Sequence, residues 1–592
     1  MTGSVPRRHT RRPLRVPPPY RSRRLSPRLV SLVVRAASLV AGWPDGERLA
    51  LASVLIVVGL VLTAGGALAD VSLHRGVETG GEAVWVRHPS GRDLATNVDL
   101  TRFAPDQLDE VVTALQSAGF RYVRQSFSWA EIEPERGTFS WQRYDAIVAT
   151  LAKHSVTPVA VLHRSPGWAR APTEVDAFDA PPVNVNDYER FVREVVGRYG
   201  NRVPFVQLWD LPNRPDHWGG AAPDPAAYVR ILGIGSNAAR TAGPNTTIVL
   251  AELDPRPTSR PIDDDLAFLR AVYQNDGAPF FHVVAARVEG GQRSPFDRRI
   301  DQDSVSVSRA ILFREVIIEE GDAAKPVWAT HYGWTVGAGP DSVDADHQAA
   351  FSIAGIERSR SEWPWMGPTF AWGLVPGEDL GGGVDPGMSL LQSNGGATPF
   401  FAALEKFDGS QQTDAAPTGF LPVNARQFVY EGNWEDQHLG TTTYRTTREV
   451  GARTTVRFAG TGLVALLRLS PEAGTVNAVL DGKRIDVSLQ SLQAQDLEVS
   501  LASGLNDGIH NLTLTLAEPG QLTIGGLEIE RTVPLRWPIM LLVIGGLALL
   551  FLGLRDLLYT IAERTGRLRR RGGTDLWPEL PQLPDWRPAR RA

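Results

Sequence analysis

Two long apolar runs constrain this chain more than any other feature. Leu49 to Ala69 is 21 residues without a charge, and Trp537 to Leu554 is a second run of 18. About 20 apolar residues in a helix cover the ~30 Å of bilayer hydrocarbon, so both runs read as membrane-spanning helices. Arg536 and Arg555 bracket the second run, which argues against a buried core helix. Nine arginines stand between Arg7 and Arg28, and six more between Arg555 and Arg571. Positive charge marks the cytoplasmic side, so both tails are expected there and residues 70–536 outside. Ala67-Leu68-Ala69 before Asp70 also fits a signal-peptide cleavage site. The basic leader and the apolar run are both long for that, so an uncleaved anchor is the preferred reading. The middle is exported either way.

Charge sharpens this division. The chain carries a formal net charge of −5, but residues 1–48 sum to +9 and residues 555–592 to +4, which leaves −18 for residues 49–554. Binding to nucleic acid rests on neutralising phosphates with Lys and Arg, so the acidic middle is a poor candidate for it. Cysteine is absent, which excludes disulfides, thiolate nucleophiles and Cys-ligated zinc. An exported domain this large can build its own core without disulfides.

Within the exported part, strand-like and helix-like segments alternate from about 95 to 410. Strands are expected over 96–100, 120–125, 157–162, 204–209, 246–251, 280–286, 325–330 and 367–373. Helices are expected over 105–118, 142–154, 186–199, 224–241, 262–276, 304–320, 345–360 and 397–407. Short apolar strands between amphipathic helices argue βα units and a parallel sheet. Eight units suit a (β/α)8 TIM barrel. A doubly wound sheet is the competitor, but no Gly-rich phosphate loop follows the first strand. From about 418 to 532 short strands such as 454–458, 463–469, 475–480 and 511–516 alternate with turns. Asp481-Gly482 and Asp507-Gly508 are strong turn signals, and the pattern reads as an all-β sandwich. The expected organisation is a tail over 1–48, a spanning helix over 49–69, a linker over 70–94, a barrel over 95–410, a sandwich over 411–533, a second spanning helix over 537–554 and a tail over 555–592.

The barrel's motifs resemble those of clan A glycoside hydrolases, the cellulase and β-xylosidase-like TIM barrels. Trp129-Ala130-Glu131-Ile132-Glu133-Pro134-Glu135-Arg136-Gly137, followed by Phe139-Ser140-Trp141, resembles their W-x-x-I-E-P-x-x-G-x-F-x-W segment. Pro166-Gly167-Trp168-Ala169 resembles a P-x-W-A stretch after the third strand. Leu208-Trp209-Asp210-Leu211-Pro212-Asn213 aligns with the W-N-E-P-N box after the fourth strand. Pro326-Val327-Trp328-Ala329-Thr330-His331-Tyr332-Gly333-Trp334 aligns with P-V-W-x-T-E-F-G-W after the seventh, and Trp372 falls at the family's sugar-stacking position on the eighth. The resemblance covers roughly 95–407. Trp434, Phe458-Ala459-Gly460-Thr461-Gly462 and Asp507-Gly508-Ile509-His510 make the second domain resemble galactose-binding-like or carbohydrate-binding modules.

The family's chemistry needs two carboxyl groups about 5–5.5 Å apart, one to protonate the leaving oxygen and one to attack the anomeric carbon. Here the acid/base position is Leu211 and the nucleophile position is His331. Leucine has no proton to give, and histidine does not replace a carboxylate nucleophile in the ordinary sense. Relocated carboxylates are sought among Asp210, Glu252 and Glu289, against the alternative that Arg124, Arg287 or other cations tie them into a structural network. Sugar binding can outlast hydrolysis, because ring faces stack on tryptophan and hydroxyls meet polar groups. The resemblance implies binding residues among Trp168, Trp209, Asn213, Trp218, Arg287, Trp334 and Trp372. No cofactor motif and no H-E-x-x-H pair occurs. Asp263-Asp264-Asp265 reads as an acidic cation-binding run or the first turn of a helix, and the helix reading is preferred.

Three functions stay open on these residues. The first is an anchored, outward-facing pseudoenzyme that binds or organises a cell-envelope or extracellular polysaccharide. The second is an active glycosidase or transglycosylase with relocated carboxylates. The third is a structural partner of a membrane protein in polysaccharide export. Two free carboxyls across an open cleft would favour the second, and carboxylates held by arginines would count against it.

Overall fold

The computed structural model describes residues 45–78, 86–171, 179–255, 264–300, 304–377, 386–408, 415–439, 442–532 and 537–571. Most of both arginine-rich tails, Asp263 and Gly381-Gly382-Gly383 lie outside these residues. The chain divides into two compact units, residues 1–71 with 535–592, and residues 72–534.

In the first unit the helices Asp45–His74 and Trp537–Arg571 are each long and apolar enough to cross a membrane. They run antiparallel. Gly59 lies against Gly546 and Leu550, Gly553 against Ala52 and Ile56, and Arg48 meets Glu563 at 3.5 Å. Ala52, Gly59 and Gly66 are buried on one helix, and Gly546, Gly553 and Thr560 on the other. Each set recurs every seven residues, which keeps one seam facing the partner. Small residues there let the backbones approach closely. A Cβ added at Gly59 would stand 2.6 Å from the Leu550 amide nitrogen, so the seam admits nothing larger.

In the second unit the apolar runs form eight parallel strands: β1 (Leu94–Asn97), β2 (Phe120–Ser128), β3 (Thr157–His163), β4 (Phe205–Leu208), β5 (Thr247–Val249), β6 (Val284–Glu289), β7 (Val327–Gly333) and β8 (Met366–Ala371). Their order is β5-β4-β3-β2-β1-β8-β7-β6, and a parallel bridge from Val249 to Val283 joins the two ends. This is a nearly closed, TIM-like barrel. Amphipathic helices cover it. The helix Val185–Tyr199 buries Tyr188, Phe191, Val192, Val195, Val196 and Tyr199, the 3.6-residue stripe that faces a sheet. The Asn184 side chain caps its start by accepting from the Asn186 amide at 3.1 Å.

Side chains alternate along each strand, so one set fills the barrel interior. Ala95, Tyr122, Val159, Phe205, Val249, Ala285, Trp328 and Phe370 form this inner plug, one from each strand. Two residues further along, the inward positions turn polar: Asn97, Arg124, Gln207 and Arg287. The barrel is therefore sealed below and polar at the C-terminal mouth, where barrel sites form.

Two antiparallel sheets follow and share one apolar core. The five-stranded sheet contains Phe428–Glu431, Arg453–Gly460, Gly508–Leu516, Thr475–Leu480 and Lys483–Ser488. Asp481 and Gly482 (φ 47° and 80°) make the two-residue turn between its last pair. The six-stranded sheet contains Gly419–Pro422, Glu435–Leu439, Thr442–Thr447, Gly462–Leu469, Gln495–Ala502 and Leu522–Glu530.

Several expectations need correction. The strand expected over 96–100 is Leu94–Asn97, because Leu100–Arg102 forms a 3-10 turn, and the helix expected over 304–320 begins at Ala310, after a 3-10 turn at Val307–Arg309. The strand expected over 280–286 starts later, at Val284, because Ala278–Phe280 forms a 3-10 turn. Residues 86–93, expected within a linker, form a buried strap. The Arg92 guanidinium donates to the carbonyls of Thr418, Ser359 and Trp363, tying the second domain to the end of a barrel helix. His88 Nε2 lies 2.6 Å from the Pro364 carbonyl, and burial pushes this imidazole down to about 3. Asp264 is the N-cap of the helix Asp265–Gln274, and Asp265 pairs with Arg309, so both acids serve the helix and its packing.

Candidate functional site

The mouth is built on two arginines. Arg124, on β2, donates to Gln207 Oε1 at 3.0 Å, Asn97 Oδ1 at 3.1 Å and Asp210 Oδ1 at 2.6 Å. Gln207 Nε2 donates to the same Asp210 oxygen at 2.8 Å. Arg124 and Asp210 are 3% and 2% exposed, so the pair is fully desolvated and its hydrogen bonds are charge-assisted.

Arg287, on β6, holds the second group. Its Nε lies 3.0 Å from Glu289 Oε1 and 3.6 Å from Glu252 Oε1, and its Nη2 lies 3.4 Å from His331 Nε2. His331 Nδ1 is 3.8 Å from Glu252 Oε1, too long for a hydrogen bond. The pairing register of β6 and β7 slips between Ala286 and Arg287, leaving Thr330 as an extra residue on β7. That bulge turns His331 inward beside Arg287, where strict alternation from Trp328 would point it out. The His331 ring then stacks on Trp372, with centroids 3.8 Å apart and planes 12° apart.

Electrostatics follow from this packing. Burial alone would raise the Glu252 carboxyl, but Arg124, His331 and Arg287 outweigh it and hold it well below the usual carboxylate range. Burial, with Arg287 alongside, lowers His331 against the pull of Glu289 and Glu252. Glu252 is thus ionised and His331 neutral near pH 7. Glu252 Oε2, Arg287 Nη1 and His331 Nδ1 are buried without a hydrogen-bond partner among the described residues. Such atoms carry a desolvation cost of about 1–3 kcal/mol each unless water or a ligand meets them.

Leu211 is fully buried, and Trp209 and Leu211 both have positive φ, 71° and 43°. Non-glycine residues in that region cost roughly 1–3 kcal/mol and cluster at functional sites. The β4 exit therefore keeps a strained backbone while its side chain offers no acid. Asn213 is bound to the backbone of Asp254, donating to its carbonyl at 2.9 Å and accepting from its amide at 3.0 Å.

The tryptophans are spent mostly on packing. Trp209 and Trp334 are 0% exposed within the main core, and Trp218 stands edge-on to Trp209. Trp372 is buried under His331. Trp168 is half-buried, edge-on to Trp129 and covered by Arg136 with its guanidinium carbon 4.8 Å from the ring centre. The structure thus groups Asp210 with Arg124, and Glu252, Glu289, Arg287, His331 and Trp372 with one another. It leaves Trp168, Trp209, Trp218 and Trp334 in packing positions. Glu289 alone opens outward, lining a polar cavity of about 1000 Å³ with Arg293, Asp297, Thr335 and Asp341. Asn97 and Gln207 completed the network unnoticed in the sequence. Their signal was alternation, since each stands two residues beyond a plug residue on its strand.

The Glyco_hydro_42 family model, described as β-galactosidase, matches residues 101–163, a stretch that spans β2 and β3. No curated protein matches the chain by sequence. Among solved structures, the chain is similar to a family 39 glycoside hydrolase from Bacteroides cellulosilyticus WH2, at 16% identity over 72% of this chain and 81% of that one, with a TM-score of 0.44. A monomeric β-xylosidase from Caulobacter crescentus CB15 aligns at 14% identity over 73% of this chain and 97% of that one, with a TM-score of 0.40. A GH10 xylanase from Thermobacillus composti aligns at 14% identity over 53% and 96%, with a TM-score of 0.37. Over residues 101–163 the barrel is thus similar to a glycoside hydrolase family.

Proposed function

We propose that this protein is an anchored, outward-facing barrel that binds a cell-envelope or extracellular polysaccharide and has lost ordinary retaining hydrolysis. The observation that carries the reading is the state of the carboxylates. Leu211 and His331 occupy the positions where the family resemblance expects the acid and the nucleophile. The remaining candidates are each held by an arginine, Asp210 at 2.6 Å, Glu289 at 3.0 Å and Glu252 at 3.6 Å. A retaining mechanism needs one carboxyl that keeps its proton and a second free to attack. Glu252 does not supply the acid, because Arg124, His331 and Arg287 hold it ionised, and at 1% exposure it is closed off from an incoming sugar.

Anchoring is supported by the helix pair. Its antiparallel seam brings Arg48 and Glu563 to one end, consistent with both tails on one side of a bilayer. The second domain is clamped to the barrel through Arg92. The polar cavity beside Glu289 is the opening through which hydroxylated polymer reaches the mouth.

The test is retention of the full-length protein on immobilised cell-envelope polysaccharide. Wild type is retained, and Glu289→Arg, which reverses charge on the cavity wall, weakens retention at least tenfold. A protein that no polysaccharide retains, or retention untouched by Glu289→Arg, contradicts the proposal.

A further inference from the structure

The mouth holds a second constellation that the glycan-binding reading does not use. Ser126 stands on β2, on the same inward face as Tyr122 and Arg124 and about 7 Å above Arg124 by strand rise. Its hydroxyl lies 2.8 Å from His163 Nε2, at the end of β3. On the other side of that ring, His163 Nδ1 lies 3.4 Å from Asp179 Oδ1. Ser126 is partly exposed, whereas His163 is 2% exposed. The ring is thus shielded, while Ser126 keeps some exposure.

We propose that Ser126, His163 and Asp179 form a serine nucleophile, base and orienting acid that cleave carboxylic esters, with acyl groups on sugar hydroxyls as the substrate class. The arrangement has the connectivity that activates serine: hydroxyl to one imidazole nitrogen, carboxylate to the other. A ring proton on Nδ1, facing the carboxylate, leaves the Nε2 lone pair towards Ser126. His163, His217 and Arg164 hold the Asp179 carboxyl down at about 2 against the burial that would raise it. It is therefore ionised across the working range and stabilises an imidazolium. The 3.4 Å separation is looser than a formed hydrogen bond, as such contacts often are before substrate closes on them.

The steps balance without a further cofactor. The Ser126 oxygen adds to the ester carbonyl carbon while its proton passes to His163 Nε2. The carbon–alkoxide bond then breaks, and the same proton leaves with the sugar hydroxyl. Water next adds to the acyl-serine, giving its proton to His163, and the Ser126 oxygen departs and recovers it. The products are a carboxylic acid and a free hydroxyl. The sugar part of the substrate class rests on the glycan-binding reading. The activated serine does not.

The test uses full-length protein in detergent with three probes: a fluorophosphonate, p-nitrophenyl acetate and an O-acetylated polysaccharide. Wild type is labelled at Ser126 and turns over the small ester. Ser126→Ala abolishes the label and lowers turnover at least 10²-fold. Asp179, a positioning residue, is read by the pH profile: Asp179→Asn lowers turnover and shifts its dependence on pH, and Asp179→Glu restores part of it. Absence of label and turnover in wild type overturns the proposal, as does turnover unchanged in Ser126→Ala. Small-ester turnover without acetate release from the polysaccharide overturns the substrate class and leaves the nucleophile standing. Polysaccharide retention in Ser126→Ala, measured separately, reports on glycan binding alone.

Discussion

Replacing Arg124 by methionine removes the cation paired with the Asp210 carboxylate, 2% exposed, and leaves only the longer-range pull of Arg287. Methionine fills much of the volume but makes none of the three hydrogen bonds to Gln207, Asn97 and Asp210. Gln207 Nε2 still donates to Asp210 at 2.8 Å, which limits the loss. Breaking a buried pair by removing one partner costs about 3–5 kcal/mol, or about two to three and a half decades in the folding equilibrium. Removing both charges is often close to neutral, so Arg124→Met/Asp210→Leu recovers most of that stability. The assay is a urea titration followed by tryptophan fluorescence, with Trp209 next to Asp210 in the chain and fully buried. The reasoning fails if Arg124→Met costs under about 1 kcal/mol, the worth of a surface pair. It fails equally if the double variant loses the sum of the two single losses, because then the residues are not coupled.

Acidification weakens the fold through the buried strap. His88 titrates at about 3 when folded against 6.5 when free, so between those values only the unfolded chain binds the proton. Stability is complete above pH 6.5 and falls by about 1.4 kcal/mol per unit below it, near 2 kcal/mol at pH 5. His282, lowered to about 4, adds in the same sense, and urea midpoints of His88→Gln across pH 5–7 flatten by the His88 share. In the helix pair, Gly59→Leu drives a side chain into the Leu550 backbone, which a Cβ alone already reaches at 2.6 Å. The chain has no cysteine, so a disulfide between Ala52→Cys and Gly553→Cys reports the seam cleanly. The bond forms in the otherwise unaltered chain and is lost with Gly59→Leu.

The barrel was legible in the sequence because its strands are short apolar runs bounded by turns. β2, β3 and β7 each begin within two residues of their expected starts and run one to three residues further. Seven of the eleven strands of the second domain lie outside the segments marked in the sequence. Among them, Glu435–Leu439 and Thr442–Thr447 carry polar residues on both faces, so period-two hydrophobicity is missing. The strap at 86–93 looked like a linker because its polar residues find partners only in distant segments, such as Thr418 and Pro364. At the site, Leu211 and His331 stood out against a family motif. The arginine contacts needed the closed barrel, since Arg124 and Asp210 are 86 residues apart. The inward aim of His331 depends on a bulge that no local pattern announces. Ser126 and His163, 37 residues apart, meet only because β2 and β3 pair in register.

The central claim is that the mouth binds glycan without cutting glycosidic bonds. Its most direct test is reducing-end release from a broad panel of polysaccharides by the purified full-length protein, measured on the same preparation that those polysaccharides retain. The account predicts retention with release at the level of a protein-free blank. Release above the blank that disappears in Asp210→Asn or Glu289→Gln would contradict it.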